Sequence, residues 1–386
     1  MRVPVLRRMM IRYLWSRLLA TCAVSIVAAA VTATQAVSAS EIPDADDLIL
    51  GLMSREIVHG VALALIKDGR IVLEKGYGFR DLETQAPVTT ATLFNIGSIS
   101  KSFTALGIAQ LVDQQQVDLD APFIKYIPEL RLGDPQAAQT MTLRQLLSHS
   151  SGLPADEQWP PQVPATREGI VAEFASMPIT APPGTRFQYC SRCIVLAAYI
   201  LERVTGKSWE AYTRAHIFEP LGMVTASFGP NGLEEAPDRA LPYRHSEVLV
   251  PWSRLQYLEP LAPGGGIDAN IDEMAHYALF QVGDGATSGH RLVSTQMMAE
   301  LHRPEIVVGA DWPAAARVQN LHYALGWFTG DVHGVHLVYH NGANPGFRAG
   351  IVLAPSAKAG VVVLINGESD HFIDAAARSL LEQLLR

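Results

Sequence analysis

Cysteine is scarce in this sequence: there are three, and one of them, Cys22, falls in an apolar N-terminal stretch. Disulfides are therefore not expected to be the main source of stability. Runs of clustered Lys and Arg are missing as well, and the formal charge is -8. Nucleic-acid binding, which needs such clusters against phosphate, is not expected. Beyond residue 39 no apolar segment is long and uninterrupted enough to span a bilayer. There is no internal repeat and no low-complexity segment. Two catalytic signatures are also missing: G-x-S-x-G, the mark of one large class of serine hydrolases, and H-E-x-x-H, the helical zinc-binding pair.

The first 39 residues have the layout of an export signal. Arg2, Arg7, Arg8, Arg12 and Arg17 precede an apolar run from Leu18 that ends at the small residues Val37-Ser38-Ala39. Cleavage after Ala39 is the expectation, giving an exported product, periplasmic or secreted. An uncleaved membrane anchor is the competing reading, since the stretch is about long enough to cross a bilayer. Thr21 before Cys22, and the apolar run continuing past it, argue against lipid attachment there. Removing the segment takes away five arginines and no acids, so the charge moves from -8 to -13 (-8 minus 5).

Residues 40–386 are read as one domain. The apolar share, 48% of the whole chain, is ample for a large core. Residues 44–57 read as an amphipathic helix. They lead into VALALIKDGRIVLEKGYGF, two apolar runs around Asp68-Gly69, a strong hairpin signal. At the other end HLVYHN, GFRAGIVLAP and GVVVLING read as strands, and FIDAAARSLLEQLL as a closing helix. Mostly helical patterns separated by Pro- and Gly-rich loops lie between. The expected fold class is α+β: an antiparallel sheet built from both chain ends (about 40–104 and 320–386), flanked by helices, with a largely helical region (about 105–319) inserted.

Ser98-Ile99-Ser100-Lys101 opens a helical pattern, so Ser98 and Lys101 project from one face within hydrogen-bonding reach. In a chain of this length roughly one S-x-x-K match is expected by chance. Lys101 nevertheless heads an almost wholly apolar helix, where an ammonium is costly unless paired or deprotonated, and a desolvated lysine is a competent base for a serine. A surface lysine that snorkels, with Ser98 as a helix cap, is the competing structural reading. Tyr189 and Ser191 stand at the mouth of a second apolar helix that ends at Gly206. Tyr189 reads either as a half-buried aromatic or as a phenol exchanging protons near a lysine. Cys190 and Cys193 admit a disulfide, a redox pair, or simply two small residues at a helix start. His340-Asn341-Gly342-Ala343 ends a strand, where Gly342 would allow close backbone approach and the Ala343 N–H would point toward a carbonyl oxygen. His333, His336 and His340 do not share one strand face, so no metal site is expected.

Taken together, these motifs resemble the serine β-lactamase-like superfamily, the branch with class C β-lactamases, D-alanyl-D-alanine carboxypeptidases, D-aminopeptidases and some carboxylesterases. FNIGSISKSFTA resembles its first motif, Tyr189-Cys190-Ser191 its Tyr-x-Asn motif, and His340-Asn341-Gly342 its Lys-Thr-Gly or His-x-Gly motif. LLSHSSGLP (146–154), FEPLGM (218–223), PGGGI (263–267), YALGW (323–327) and GANPGF (342–347) follow in the family's order. The resemblance implies that Ser98 attacks a carbonyl, that Lys101 and Tyr189 manage its proton, and that the N–H groups of Ser98 and Ala343 form an oxyanion hole. It implies a covalent acyl-enzyme, no cofactor, a small-molecule or peptide substrate, and no stable protein partner. His340, Gly342 and Ser191 are expected to contact substrate. The shorter Ser191 and the mostly neutral His340 shift the expected substrate from penicillins toward esters or small peptides. Arg348 is a candidate cation for a substrate carboxylate. His149 is read as structural, and Asp156 only as a residue bordering the cleft. A slow-turnover penicillin-binding module, and a non-catalytic scaffold, are the alternative functional classes.

Overall fold

The structure is a computed structural model that describes residues 44–386 apart from 250, 288, 313, 315 and 316. The expected signal at 1–39 lies outside the described residues.

Helix α1 (Ala45–Arg55) begins at Asp44, whose carboxylate accepts from the Asp47 N–H. It leads into the hairpin of β1 (Gly60–Lys67) and β2 (Arg70–Asp81). Asp68 and Gly69 both take positive φ, 53° and 68°, as a tight two-residue hairpin turn of the twist-compatible hand requires. A short strand β3 (Ala86–Pro87) finishes this edge. Helices α2 (Ser100–Asp113) and α3 (Ser191–Thr205) belong to the inserted region. The C-terminal part supplies β4 (Ile306–Val307), β5 (Gln319–Tyr323), β6 (Phe328–Val332), β7 (Val335–Asn344), β8 (Phe347–Ala354) and β9 (Ala359–Ile365), then helix α4 (Asp370–Leu384).

These strands form one antiparallel sheet in the order β4-β5-β6-β7-β8-β9-β1-β2-β3. The two chain ends meet at its centre, where Val61 pairs with Ile365 and Ile66 with Gly360. Both faces of this pair are covered. Val61, Leu63 and Leu65 pack with Val361, Val363 and Ile365 under α1 and α4, whereas Ala62, Ala64 and Ile66 face the main core with Val362 and Leu364. A strand buried on both faces reads as a continuous apolar run rather than an alternating one, as GVALALI does.

Helix α2 runs through the main core with Ser100 through Leu111 buried. Two of its buried hydroxyls are satisfied: Ser102 donates to the Ile99 carbonyl and receives the Tyr277 hydroxyl, and Thr104 donates to the Pro263 carbonyl. The inserted region departs from the helical expectation in one place that matters to the site. Phe94–Asn95, Ile267–Ala269 and Ser227–Phe228 form a small three-stranded sheet under the start of α2. Strands this short carry no periodicity to read. β4, β5 and β6 likewise extend the sheet beyond the three C-terminal strands expected.

Candidate active site

Ser98 sits on a one-turn helical segment, Gly97–Ile99, that runs straight into α2. Two glycines let this turn touch the end of β7. Gly97 has φ 54°, and a methyl there would lie 2.5 Å from the Ala343 nitrogen. A methyl on Gly342 would overlap the Ile96 carbonyl oxygen. Only bare backbone fits at this junction, which brings the Ala343 N–H beside Ser98. Ser98 is part-exposed and Ala343 exposed, so the junction opens to solvent.

Lys101, three residues into the same face, is 0% exposed. Its Nζ lies 2.9 Å from Ser98 Oγ and donates to the Gly264 carbonyl at 2.6 Å. It also rests 4.7 Å from the centre of the Tyr189 ring. Burial pulls its pKa down to about 8, with the Asp156 charge opposing the shift. A neutral amine in this position can give one proton to Gly264 and offer its lone pair to the Ser98 hydroxyl.

Tyr189 immediately precedes the N-cap of α3 and is hydrogen-bonded to Ser98. Desolvation drives its pKa upward, so the phenol keeps its proton at neutral pH. Its ring is packed among His149, Phe187, Trp312 and Phe328, with ring centres 4.5–6.4 Å away. Cys190 and Cys193 are joined in a disulfide in the first turn of α3, and the Cys190 N–H donates to His149 Nδ1. His149 is buried, its pKa lies well below the usual imidazole range because of burial, and its ring supports Tyr189 and Tyr323.

Three residues expected to meet substrate are placed differently. Ser191 Oγ donates to Asp156 Oδ2 at 2.7 Å, so its hydroxyl proton is already committed. His340 is 1% exposed. Its Nδ1 donates to the Asn341 carbonyl at 2.7 Å, which leaves Nε2 to accept from the Tyr323 hydroxyl at 3.0 Å. Burial and nearby Lys101 lower its pKa to about 3, so it is a neutral ring held behind the strand. Arg348 donates to Asp370 at 2.8 Å and to the carbonyls of Asn344 and Phe347, rather than projecting a free guanidinium. Gly342 serves backbone packing, as described above.

Other groups that position the site lay inside the quoted motifs FNIGSISKSFTA and GANPGF without being singled out. Asn344 Nδ2 donates to the Gly265 carbonyl at 2.8 Å and to Asn95 Oδ1 at 2.7 Å. Asn95 Oδ1 also receives the Gly97 N–H, and its amide donates to Asp268, a carboxyl whose pKa burial raises well above the usual range. One network thus ties together the Ser98 turn, the Gly264 loop and the Ala343 strand. Backbone carbonyls such as that of Gly264 leave no mark in a sequence, although the PGGGI segment containing it was conspicuous.

His333, His336 and His340 have separate partners, Glu382, Asp331 and Tyr323. Among the described residues no His, Cys, Asp and Glu side chains are gathered in a group that could hold a metal ion. A surface hollow of about 450 Å3 lies elsewhere, lined by Asp134, Thr140, Ile179 and Pro182, and holds none of these residues.

A family model described as Beta-lactamase matches residues 45–385. The chain is 24% identical over 335 residues to "Protein flp" of Staphylococcus aureus (strain MW2), covering 84% of this chain and 63% of that protein. It is 26% identical over 336 residues to "Unguisins hydrolase ungD" of Aspergillus violaceofuscus (strain CBS 115571), covering 80% and 58%. The chain therefore spans about three fifths of the length of these curated relatives. Among solved structures, an octameric penicillin-binding protein homologue from Pyrococcus abyssi superposes with a TM-score of 0.73 at 29% identity, over 88% of this chain and 76% of that one. SurE, solved with D-Leu, has the same fold, with a TM-score of 0.70 at 20% identity over 89% and 76%.

Proposed function

The chain belongs to the beta-lactamase family, and from that premise we propose that it is a serine hydrolase that takes the acyl group of an ester or amide onto Ser98. The observation that carries this reading is the 2.9 Å contact between Ser98 Oγ and the wholly buried Nζ of Lys101. Neutral Lys101 accepts the Ser98 proton as Oγ bonds to the carbonyl carbon. The developing oxyanion takes hydrogen bonds from the N–H groups of Ser98 and Ala343. Tyr189, protonated and hydrogen-bonded to Ser98, passes a proton to the departing alcohol or amine and is resupplied by Lys101. Water then adds to the acyl-serine by the same steps in reverse, releasing the acid.

Esters and peptide-like amides are favoured over penicillins. A penicillin carries a carboxylate, and the candidate cations beside Ala343 do not serve it: His340 is neutral, and Arg348 is paired with Asp370. A relative named as a hydrolase supports hydrolytic chemistry. The Cys190–Cys193 disulfide supports export to an oxidising compartment.

The test is labelling with a fluorophosphonate and turnover of a short-chain nitrophenyl ester, comparing wild type with Ser98→Ala. Both signals should vanish in the variant. Labelling or turnover that survives removes Ser98 from the mechanism.

A further inference from the structure

At the mouth of the cleft, one acid is held in place by neutral hydrogen-bond donors, with no salt-bridge partner among the described residues. Asp156 receives the Ser191 N–H on Oδ1 and the Ser191 hydroxyl on Oδ2, each at 2.7 Å. Its own N–H donates to the Tyr189 carbonyl at 2.9 Å. The carboxylate is thus clipped to both ends of the Tyr189-Cys190-Ser191 segment, and its position relative to the phenol is set.

A carboxylate has about four lone-pair directions, and Ser191 occupies two of them. Among the described residues no Arg, Lys or His forms an ion pair with Asp156. Arg192, next to Ser191, pairs with Glu173, and Arg348 pairs with Asp370. Asp156 is part-exposed, and its charge acts on both Lys101 and Tyr189. At the position where a serine hydroxyl was expected to meet substrate, the site therefore presents an anion that only accepts hydrogen bonds. A group that only accepts selects a donor, and an unpaired anion selects a cation.

We propose that Asp156 is the specificity-determining residue of this cleft and that the preferred substrates are esters or amides with a free ammonium group close to the scissile carbonyl. The proposal rests on the reading of Ser98 as acyl acceptor. An ammonium docked on Asp156 also disfavours a second positive charge on Lys101, so the right substrate helps keep the base neutral. Asp156 additionally caps α3, and a cap alone would be indifferent to the substrate's amine.

The two roles separate with matched amino-acid nitroanilides of D and L configuration, each with a free and an N-acetylated amine, assayed at pH 7. Wild type should prefer the free amine by about tenfold or more in kcat/KM, mainly through KM. In Asp156→Asn that ratio should fall to near one. A wild-type enzyme that treats the acetylated member equally well overturns the proposal without any variant. So does a variant that lowers both members by one common factor, the signature of a lost cap. A second measurement needs no turnover: the free-amine amino-acid amide should slow fluorophosphonate labelling of Ser98 at about tenfold lower concentration than its acetylated twin. Equal protection by the two also overturns it. If Ser98 does not label at all, the nucleophile assignment fails, whereas labelling without amine discrimination removes only the role given to Asp156.

Discussion

Lys101 is the residue whose chemistry follows most directly from where it sits. Its pKa of about 8 lies below the ordinary 10.5, and only the neutral form can take the Ser98 proton. For a neutral ester, kcat/KM should climb as pH rises through about 8 and then level off. Lys101→Met should lower it by about 10²–10⁴-fold and erase that pH dependence. The same group sets a stability slope. Between about pH 8 and 10.5 the unfolded chain holds the lysine proton and the folded chain does not, so wild type should become more stable with rising pH across that window. Urea unfolding at pH 8 and 10 should show a smaller gain in the methionine variant. Equal gains in both would mean that the buried amine keeps its proton. Ser98 and Lys101 were legible because an i, i+3 spacing on a helix is geometry written in the sequence. His340 was harder to read, because its engagement depends on Tyr323, a residue on β5, two strands away across the sheet.

At the scale of the element, the junction of β7 with the Ser98 turn is a contact of backbone on backbone. Gly342→Ala must push the strand away from Ile96. The expected cost is about 1–3 kcal/mol in urea unfolding, with a larger proportional loss of turnover because Ala343 moves with the strand. Wild-type stability and turnover in that variant would show that the junction can give. The first turn of α3 is held by the disulfide, and the loop it closes is short, so its stabilisation is modest. Replacing both Cys190 and Cys193 by Ala should cost about 2 kcal/mol on loop-closure grounds, measured as a lower urea midpoint. A midpoint that does not move would leave the turn held by Asp156 and His149 alone. Long elements with clear periods and turn signals, such as the Asp68-Gly69 hairpin and α1, were readable from sequence. The two-residue strands Phe94–Asn95 and Ser227–Phe228 were not, because tertiary pairing alone defines them.

Across the whole molecule, the sheet depends on segments from both ends of the chain. Helix α4 buries Phe372, Ile373, Ala376, Ala377, Leu380, Leu381 and Leu384 against one sheet face. A chain stopped after residue 369 should therefore fail to give a cooperative thermal transition and should not label at Ser98, even though every proposed reacting group is still present. A sharp transition in that truncated chain would show that α4 is dispensable. The antiparallel sheet from both termini was legible because apolar runs flank the chain. Its neighbours β4 to β6 were not, since Gly330, Asp331 and Asn320 interrupt any apolar pattern there.

The pairing of β1 with β9 also fixes an order of events during synthesis. Val61 must wait about 300 residues for its partner Ile365, so this ladder closes only after the Ala359–Ile365 strand has been made. Until then the Gly60–Lys67 strand is paired with β2 on one edge only, its other edge is open and apolar, and the Ala343 strand beside the Ser98 turn has not been translated. The proposed site around Ser98 is therefore assembled late and all at once: a copy that stops short of that strand lacks half of it.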